Sequence, residues 1–317
     1  MDQAEKLRDI VQNKNDKGDK AGKKAKNAGS GKNNNPPKAP EMNARVITVS
    51  SGKGGVGKSN IAANLAISFR KQGKRVAIMD VDFGLANIEI LFGIVPKYSI
   101  ADVLVNSKTF DEVLTEGPLD IKFISGGSGL TEMANLSEAQ MSFIINQFSY
   151  LDSIADVIII DTGAGISRPV VNFIRASKEF ILVTTPEPTS ITDAYSLIKA
   201  IKNSKPQVDE LPEIKVVVNR TDEFKEGIEI FEKLRKVTER FLGLHLNYLG
   251  AVPYDNQVIK AVKKQQPVAI YDPSAPFTHS VDVLCTRLLN LAEITHKKSD
   301  DGLISFIKRF LNVTGKK

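Results

Sequence analysis

Tryptophan is absent from the 317 residues, cysteine occurs once and histidine three times. A lone Cys285 cannot form an internal disulfide, nor can it supply the paired thiolates that a cluster-bridged dimer needs. His245, His279 and His296 lie far apart without ligand-like spacing, so a histidine metal centre is not expected. Long apolar runs are missing too. Stretches such as Val157 to Ile160 fall well short of the ~20 residues that a spanning helix requires. The first residues are polar and charged, without the apolar core of a signal peptide. These absences point to a cytoplasmic chain that does not cross a membrane.

The charge is also less one-sided than its total implies. Lys and Arg number 43 against 37 Asp and Glu, a net of +6. Residues 1–44 hold ten basic and six acidic side chains and residues 297–317 six and two, which leaves 27 basic against 29 acidic in between. The positive charge therefore sits in two tails, and the body is close to neutral. Binding to DNA through the folded surface loses its electrostatic support, and no nucleic-acid partner is expected.

From Asn13 to Pro40 no large apolar residue occurs, so this stretch has nothing to offset the entropy of ordering. It divides a head at 1–11 from the body and gives a disordered basic linker over 12–44. Apolar runs at 45–50, 75–80, 121–125, 156–161, 180–185, 214–219 and 246–252 read as strands. Helical patterns at 59–71, 137–148, 191–201 and 223–242 lie between them. Strands apolar on both faces and separated by helices give a doubly wound, mostly parallel α/β sheet over 45–296, with ligands at the carboxyl ends of its strands.

The first strand runs into Gly52-Lys53-Gly54-Gly55-Val56-Gly57-Lys58-Ser59-Asn60 and then a helix. This is GxxxxGK[ST] in the strand-loop-helix setting that a phosphate-binding loop needs. Its glycines let backbone N–H groups curl around phosphate oxygens, Lys58 reaches the β/γ-phosphates, and the Ser59 hydroxyl ligates Mg²⁺. With Lys53 included, KGGVGKS resembles the deviant Walker A motif of the MinD/ParA class of dimerising ATPases. The resemblance implies ATP and Mg²⁺ as cofactors and an ATP-sandwiched homodimer. Lys58 would then act in cis, and Lys53 would reach the partner's phosphates as an arginine finger does.

The second strand ends in Asp80-Val81-Asp82 and the fourth long one in Asp161, followed by Thr162-Gly163-Ala164-Gly165. Alone, each acid is equally a cap of the next turn. In the class resembled, the second aspartate of the first pair positions the attacking water, which implies that role for Asp82. The same resemblance places Asp80 near the Mg²⁺ shell and makes Asp161 its Walker B acid. Gly163 stands where that class usually has proline. Asn219-Arg220 and Pro253 occupy positions that flank adenine in the family, although a strand-end Asn is often a turn residue. The guanine-specific NKxD pattern is absent, and this favours ATP.

Leu303, Ile304, Phe306, Ile307, Phe310 and Leu311 recur at helical spacing, with Ser305, Lys308, Arg309 and Asn312 opposite. A helix over 302–313, about 18 Å long, is too short to span and reads as one lying in a membrane interface. The alternative is a helix docked in the protein's own groove. MinD-type proteins carry such a C-terminal membrane-targeting helix. The opening Asp2-Gln3-Ala4-Glu5-Lys6-Leu7-Arg8 resembles the DQAxxLR head of the FlhG (FleN) branch, ATPases of flagellar number and placement. That resemblance implies that Asp2, Gln3, Leu7 and Arg8 stimulate a signal-recognition-type GTPase, FlhF. It also implies flagellar switch (C-ring) proteins as partners. A ParA-type, DNA-associated partition ATPase is the alternative function.

Overall fold

The structure, a computed structural model, describes residues 44–82, 87–104, 108–126, 147–204, 211–295 and 302–314. The head with Asp2, Gln3, Leu7 and Arg8, the linker up to 43, most of the 137–148 helix and the polar break at 297–301 lie outside these residues.

Eight strands are present among the described residues: β1 (Arg45–Ser51), β2 (Val76–Val81), β3 (Thr115–Glu116), β4 (Lys122–Ser125), β5 (Val157–Ala164), β6 (Glu179–Thr184), β7 (Glu213–Thr221) and β8 (Asn247–Pro253). They form one sheet in the order β3-β4-β2-β5-β1-β6-β7-β8, parallel throughout except for the short antiparallel β3–β4 pair. The helices used below are α1 (Lys58–Lys71), α2 (Asn87–Phe92), α3 (147–154), α4 (Arg168–Ala176), α5 (Pro188–Asn203), α6 (Pro276–Thr295) and α7 (Leu303–Thr314).

Both faces of the sheet are covered, and the pleat shows why its strands are apolar throughout. Ile47, Ile78, Ile159 and Ile181 point into the core beneath α1 and α6. Their immediate neighbours Val46, Ala77 and Ile158 point into the core on the other side, and Phe180 into an adjoining one. This matches the expected doubly wound, mostly parallel sheet. Two strands run farther than their apolar residues indicated. β5 continues three residues beyond Asp161, and β7 two beyond Asn219, so neither residue ends its strand.

The C-terminal segment does form a helix, and in this conformation it is docked. Leu303, Phe306, Ile307, Phe310 and Leu311 of α7 are buried in the core that also contains Phe148, Ile158 and Phe173, and Ile304 is half-buried. The Phe173 ring of α4 lies 4.3 Å from that of Phe310 and 6.3 Å from that of Phe306. Of the two settings open to this amphipathic segment, the structure shows the protein's own groove.

At the amino ends of the strands, charges centred on the buried Lys215 tie three strands together. Arg45 donates to both carboxylate oxygens of Glu179, at 2.6 and 2.7 Å, and to the Leu288 carbonyl of α6 at 2.8 Å. Lys215, only 2% exposed, donates to Glu179 at 2.9 Å and also pairs with Glu213. Burial alone would push the Glu179 carboxyl up, but Arg45 and Lys215 outweigh it and hold it below the usual range. A carboxylate so depressed contributes stability above its unfolded pKa, near 4.3, and loses it as the pH falls through the folded value. Glu179→Gln leaves Lys215 and Arg45 undercompensated. It is expected to cost about 3 kcal/mol at pH 7, with the difference from the parent shrinking below about pH 4. Urea unfolding at both pH values checks this.

Candidate nucleotide site

The loop between β1 and α1 emerges near the middle of the sheet, at the carboxyl end of β1. Gly55 and Gly57 have φ of +79° and +90°, conformations that glycine adopts without strain. Gly57 occupies the N-cap position of α1, and no side chain caps the helix there. Its first amides are thus left for an anion, favoured by the positive end of the helix dipole. A Cβ on Gly52 would overlap the backbone carbonyl of Asp193 in α5, and one on Gly57 would overlap the Asn219 amide. The loop is therefore wedged between α5 and the end of β7, whereas a Cβ on Gly54 would meet nothing within 4 Å.

Lys58 is buried, and its Nζ donates to Asp161 Oδ1 at 2.7 Å and to the Ser59 hydroxyl at 3.2 Å. Parallel pairing of β1 with β5 delivers the aspartate to the loop. Asp161 is fully buried, yet its Oδ2 has no hydrogen-bond partner among the described residues. Such an oxygen fits a cation or its water shell. Asp80 lies opposite Asp161 in the β2–β5 register. Burial, and then the nearby Asp161 charge, push the Asp80 carboxyl up to about 7, although it accepts from the amides of Asp82 at 3.1 Å and Ile88 at 3.0 Å. Two neighbouring carboxylates, one with an orphaned oxygen and one pushed up by burial and like charge, suit a divalent ion. Asp161 and Ser59 are the residues that could hold such an ion, with Asp80 behind them.

Asp82 is half-buried and accepts from Asn87 Nδ2 at 3.1 Å. Burial raises its pKa, the Lys58 charge works against that, and Asp161 adds to it. A Cβ at Gly163 would stand 3.1 Å from Asp82 Oδ1. Glycine in place of the family's usual proline thus leaves room for this carboxylate directly beside β5. Residues 83–86, which continue from it, lie outside the described residues.

Lys53 points elsewhere. Its Nζ donates to Glu187 Oε2 at 2.7 Å and to the Thr189 hydroxyl at 2.9 Å, both exposed. Lys53 in turn holds the Glu187 carboxyl below the usual range, with a smaller contribution from Arg220. The sequence shows a Pro-Glu-Pro turn after β6 without saying what it faces. The structure shows its glutamate gripping the first lysine of the loop.

Asn219 is turned toward the loop, its Nδ2 donating to the Val56 carbonyl at 2.8 Å. One of its two amide hydrogens is thus engaged in holding the loop. Arg220 is exposed with φ +59°, and Pro253 pairs with Thr221 at the end of β8. The structure brings Gly52 to Asn60, Asp80, Asp82, Asp161 and Asn219 to one end of the sheet. The α7 residues form a separate group on the α4 side.

A family model described as "ParA: NUBPL iron-transfer P-loop NTPase" matches residues 43–289. The chain belongs to the ParA family of P-loop NTPases. Antiactivator FleN of Pseudomonas aeruginosa is 43% identical over 224 residues, covering 71% of this chain and 79% of FleN. The flagellum site-determining protein YlxH of Helicobacter pylori is 34% identical, covering 86% of this chain and 92% of YlxH. Within the class, this is a MinD-like ATPase of the FlhG/FleN type. The fold is shared with MinD of the Aquifex aeolicus MinC:MinD complex, at a TM-score of 0.63 and 23% identity over 78% of this chain and 96% of that one. MinD of Pyrococcus horikoshii complexed with Mg-ADP aligns over 80% of this chain and 99% of its own, at a TM-score of 0.62 and 22% identity. The iron-transfer wording of the family model finds no counterpart in the one cysteine. Cys285 is buried, and burial pushes its thiol up to about 12.

The wedge around the loop has a direct test. Gly52→Ala is expected to destabilise the nucleotide-free protein by about 1–3 kcal/mol, because α5 backbone must move. Gly54→Ala is expected to stay within about 0.5 kcal/mol of the parent. Thermal unfolding of the two variants separates them.

Proposed function

We propose that this ATPase dimerises on ATP, associates reversibly with the inner face of the cell membrane, and regulates the number and placement of flagella. One observation carries the reading. The two lysines of a single loop are committed to different places, Lys58 buried against Asp161 and Lys53 at the surface against Glu187. Lys58 belongs to its own subunit's phosphates, and Lys53 is free to exchange Glu187 for those of a second copy. Bound Mg²⁺ neutralises phosphate charge and polarises the γ-phosphoryl group. In this reading Lys58, which now donates to Asp161, would turn its ammonium to the phosphates, and Asp161 with Ser59 and Asp80 would hold the ion. Asp82, next to Gly163, orients the attacking water. Asn219 holds the loop through Val56 and, with Arg220 and Pro253, borders the adenine.

The membrane contact would come from α7 once it leaves its groove. Among the described residues no helix is long and apolar enough to cross a membrane, so attachment through this chain would be peripheral. Two such helices in a dimer act at high effective concentration, so a weak anchor becomes a nucleotide-dependent one. The flagellar assignment rests on the likeness to FleN and YlxH. Stimulation of an FlhF-type GTPase by Asp2, Gln3, Leu7 and Arg8, and contact with C-ring proteins, rest on the resemblance of the head and of the family. Partition on DNA is the weaker reading, since 27 basic against 29 acidic side chains over 45–296 leave the body slightly negative.

Three variants test the cycle. Lys53→Ala is expected to bind ATP but to remain monomeric in light scattering, and Asp82→Ala to accumulate as an ATP dimer with turnover reduced at least ~100-fold. Phe306→Glu with Phe310→Glu is expected to abolish sedimentation with liposomes in ATP. An ATP-dependent dimer of Lys53→Ala would remove the trans role, and normal turnover of Asp82→Ala would remove the water-positioning role. Liposome binding unaffected by the double substitution would remove the anchor.

A further inference from the structure

The docked α7 is held at three points. Along its length, Phe306 and Phe310 pack against Phe173, and Arg309 Nε donates to the carbonyl of Ala176, the last residue of α4, at 2.7 Å. At its start the holding group comes from another element. Asp152, in α3, is 3% exposed, and its Oδ1 accepts from the Leu303 amide at 3.1 Å and from the Ala44 amide at 2.8 Å. The Ile304 amide also faces it. The first turn of α7 contains no acidic residue of its own, and Gly302 precedes it. The first two amides of the helix are thus met by a carboxylate that stays behind if the helix leaves.

We propose that Asp152 is the clasp of the C-terminal helix, an N-cap supplied from outside the helix that sets how readily α7 undocks. The arrangement works in both directions. Undocking strips Leu303 and Ile304 of their acceptor, and it leaves a buried carboxylate with only the Ala44 amide of those three donors. Burial already pushes the Asp152 carboxyl up, and the amides are what offset it. Asp152 also lies five residues before β5, the strand that carries Asp161, and it holds the residue preceding β1, which leads to the phosphate loop. The clasp therefore sits at the amino ends of β1 and β5, the two strands whose other ends carry the phosphate loop and Asp161. Its effect on membrane binding rests on the anchor reading above, but its effect on docking does not.

The test uses the full chain, with Asp152→Ala and Asp152→Asn, in ADP and in ATP. Hydrogen exchange of 303–311 is expected to accelerate about five- to thirtyfold in Asp152→Ala, the fold-change of losing a cap, while β5 and β6 keep parental rates. Asp152→Asn retains an acceptor oxygen and is expected to show a smaller acceleration; it carries the test if Asp152→Ala fails to fold. Sedimentation with vesicles of phosphatidylglycerol and phosphatidylethanolamine in ADP is expected to rise by a similar factor. Unchanged exchange in α7, or equal acceleration in α7 and in the central strands, overturns the clasp. Faster exchange in α7 with no vesicle binding by parent or variant in either nucleotide upholds the clasp and removes the anchor reading. ATP-dependent vesicle binding by the parent, with exchange and binding unaltered in Asp152→Ala, does the reverse.

Discussion

The buried pair between Lys58 and Asp161 sets the terms for the rest of the site. It joins the helix that follows β1 to the strand beside β1, so the phosphate loop and the metal-facing acid are positioned by one contact in the centre of the sheet. Two unpaired charges at this depth would be costly, and together they stabilise each other without satisfying every lone pair. Asp161 Oδ2 stays open, and Asp80 across the register feels the same carboxylate. The centre is thus arranged around missing charge neutralisation, which phosphate on one side and a divalent ion on the other can supply.

Around that centre the chain separates two duties that one loop would otherwise share. The glycines at 55 and 57 shape the phosphate cradle, while Lys53 is drawn outward by Glu187 and Thr189 at the start of α5. Because α5 also packs on Gly52, the same helix braces the loop and restrains its outer lysine. A salt bridge this exposed contributes little stability and is easily exchanged. That property suits the proposed role, in which Lys53 would leave Glu187 for a second copy's phosphates.

The fold was legible because burial on both faces leaves an unmistakable mark: runs such as Val157 to Ile160 have no polar side to assign. The phosphate loop was legible because backbone geometry demands glycine at fixed places. Strand ends were less so. Thr162, Gly163 and Ala164 extend β5 through backbone pairing that their small side chains do not announce. The partner of Lys53 was hidden because it lies 134 residues away, in a turn whose composition shows only that it is a turn. The amphipathic stripe of α7 specified a helix needing an apolar surface, but the groove around Phe173 is assembled from distant segments that periodicity does not reveal.

Docking of α7 also has a consequence for the protein in bulk solution. When the helix lifts away, two greasy surfaces are uncovered: its own stripe and the groove it filled. A lipid bilayer takes up only the first. The second stays on the body beside Phe173, as an adhesive spot that exists only while the helix is elsewhere. If the chain cycles to and from a membrane as proposed, it would be least colloidally stable in transit, and rapid recapture of the helix would protect it from clumping with its own copies.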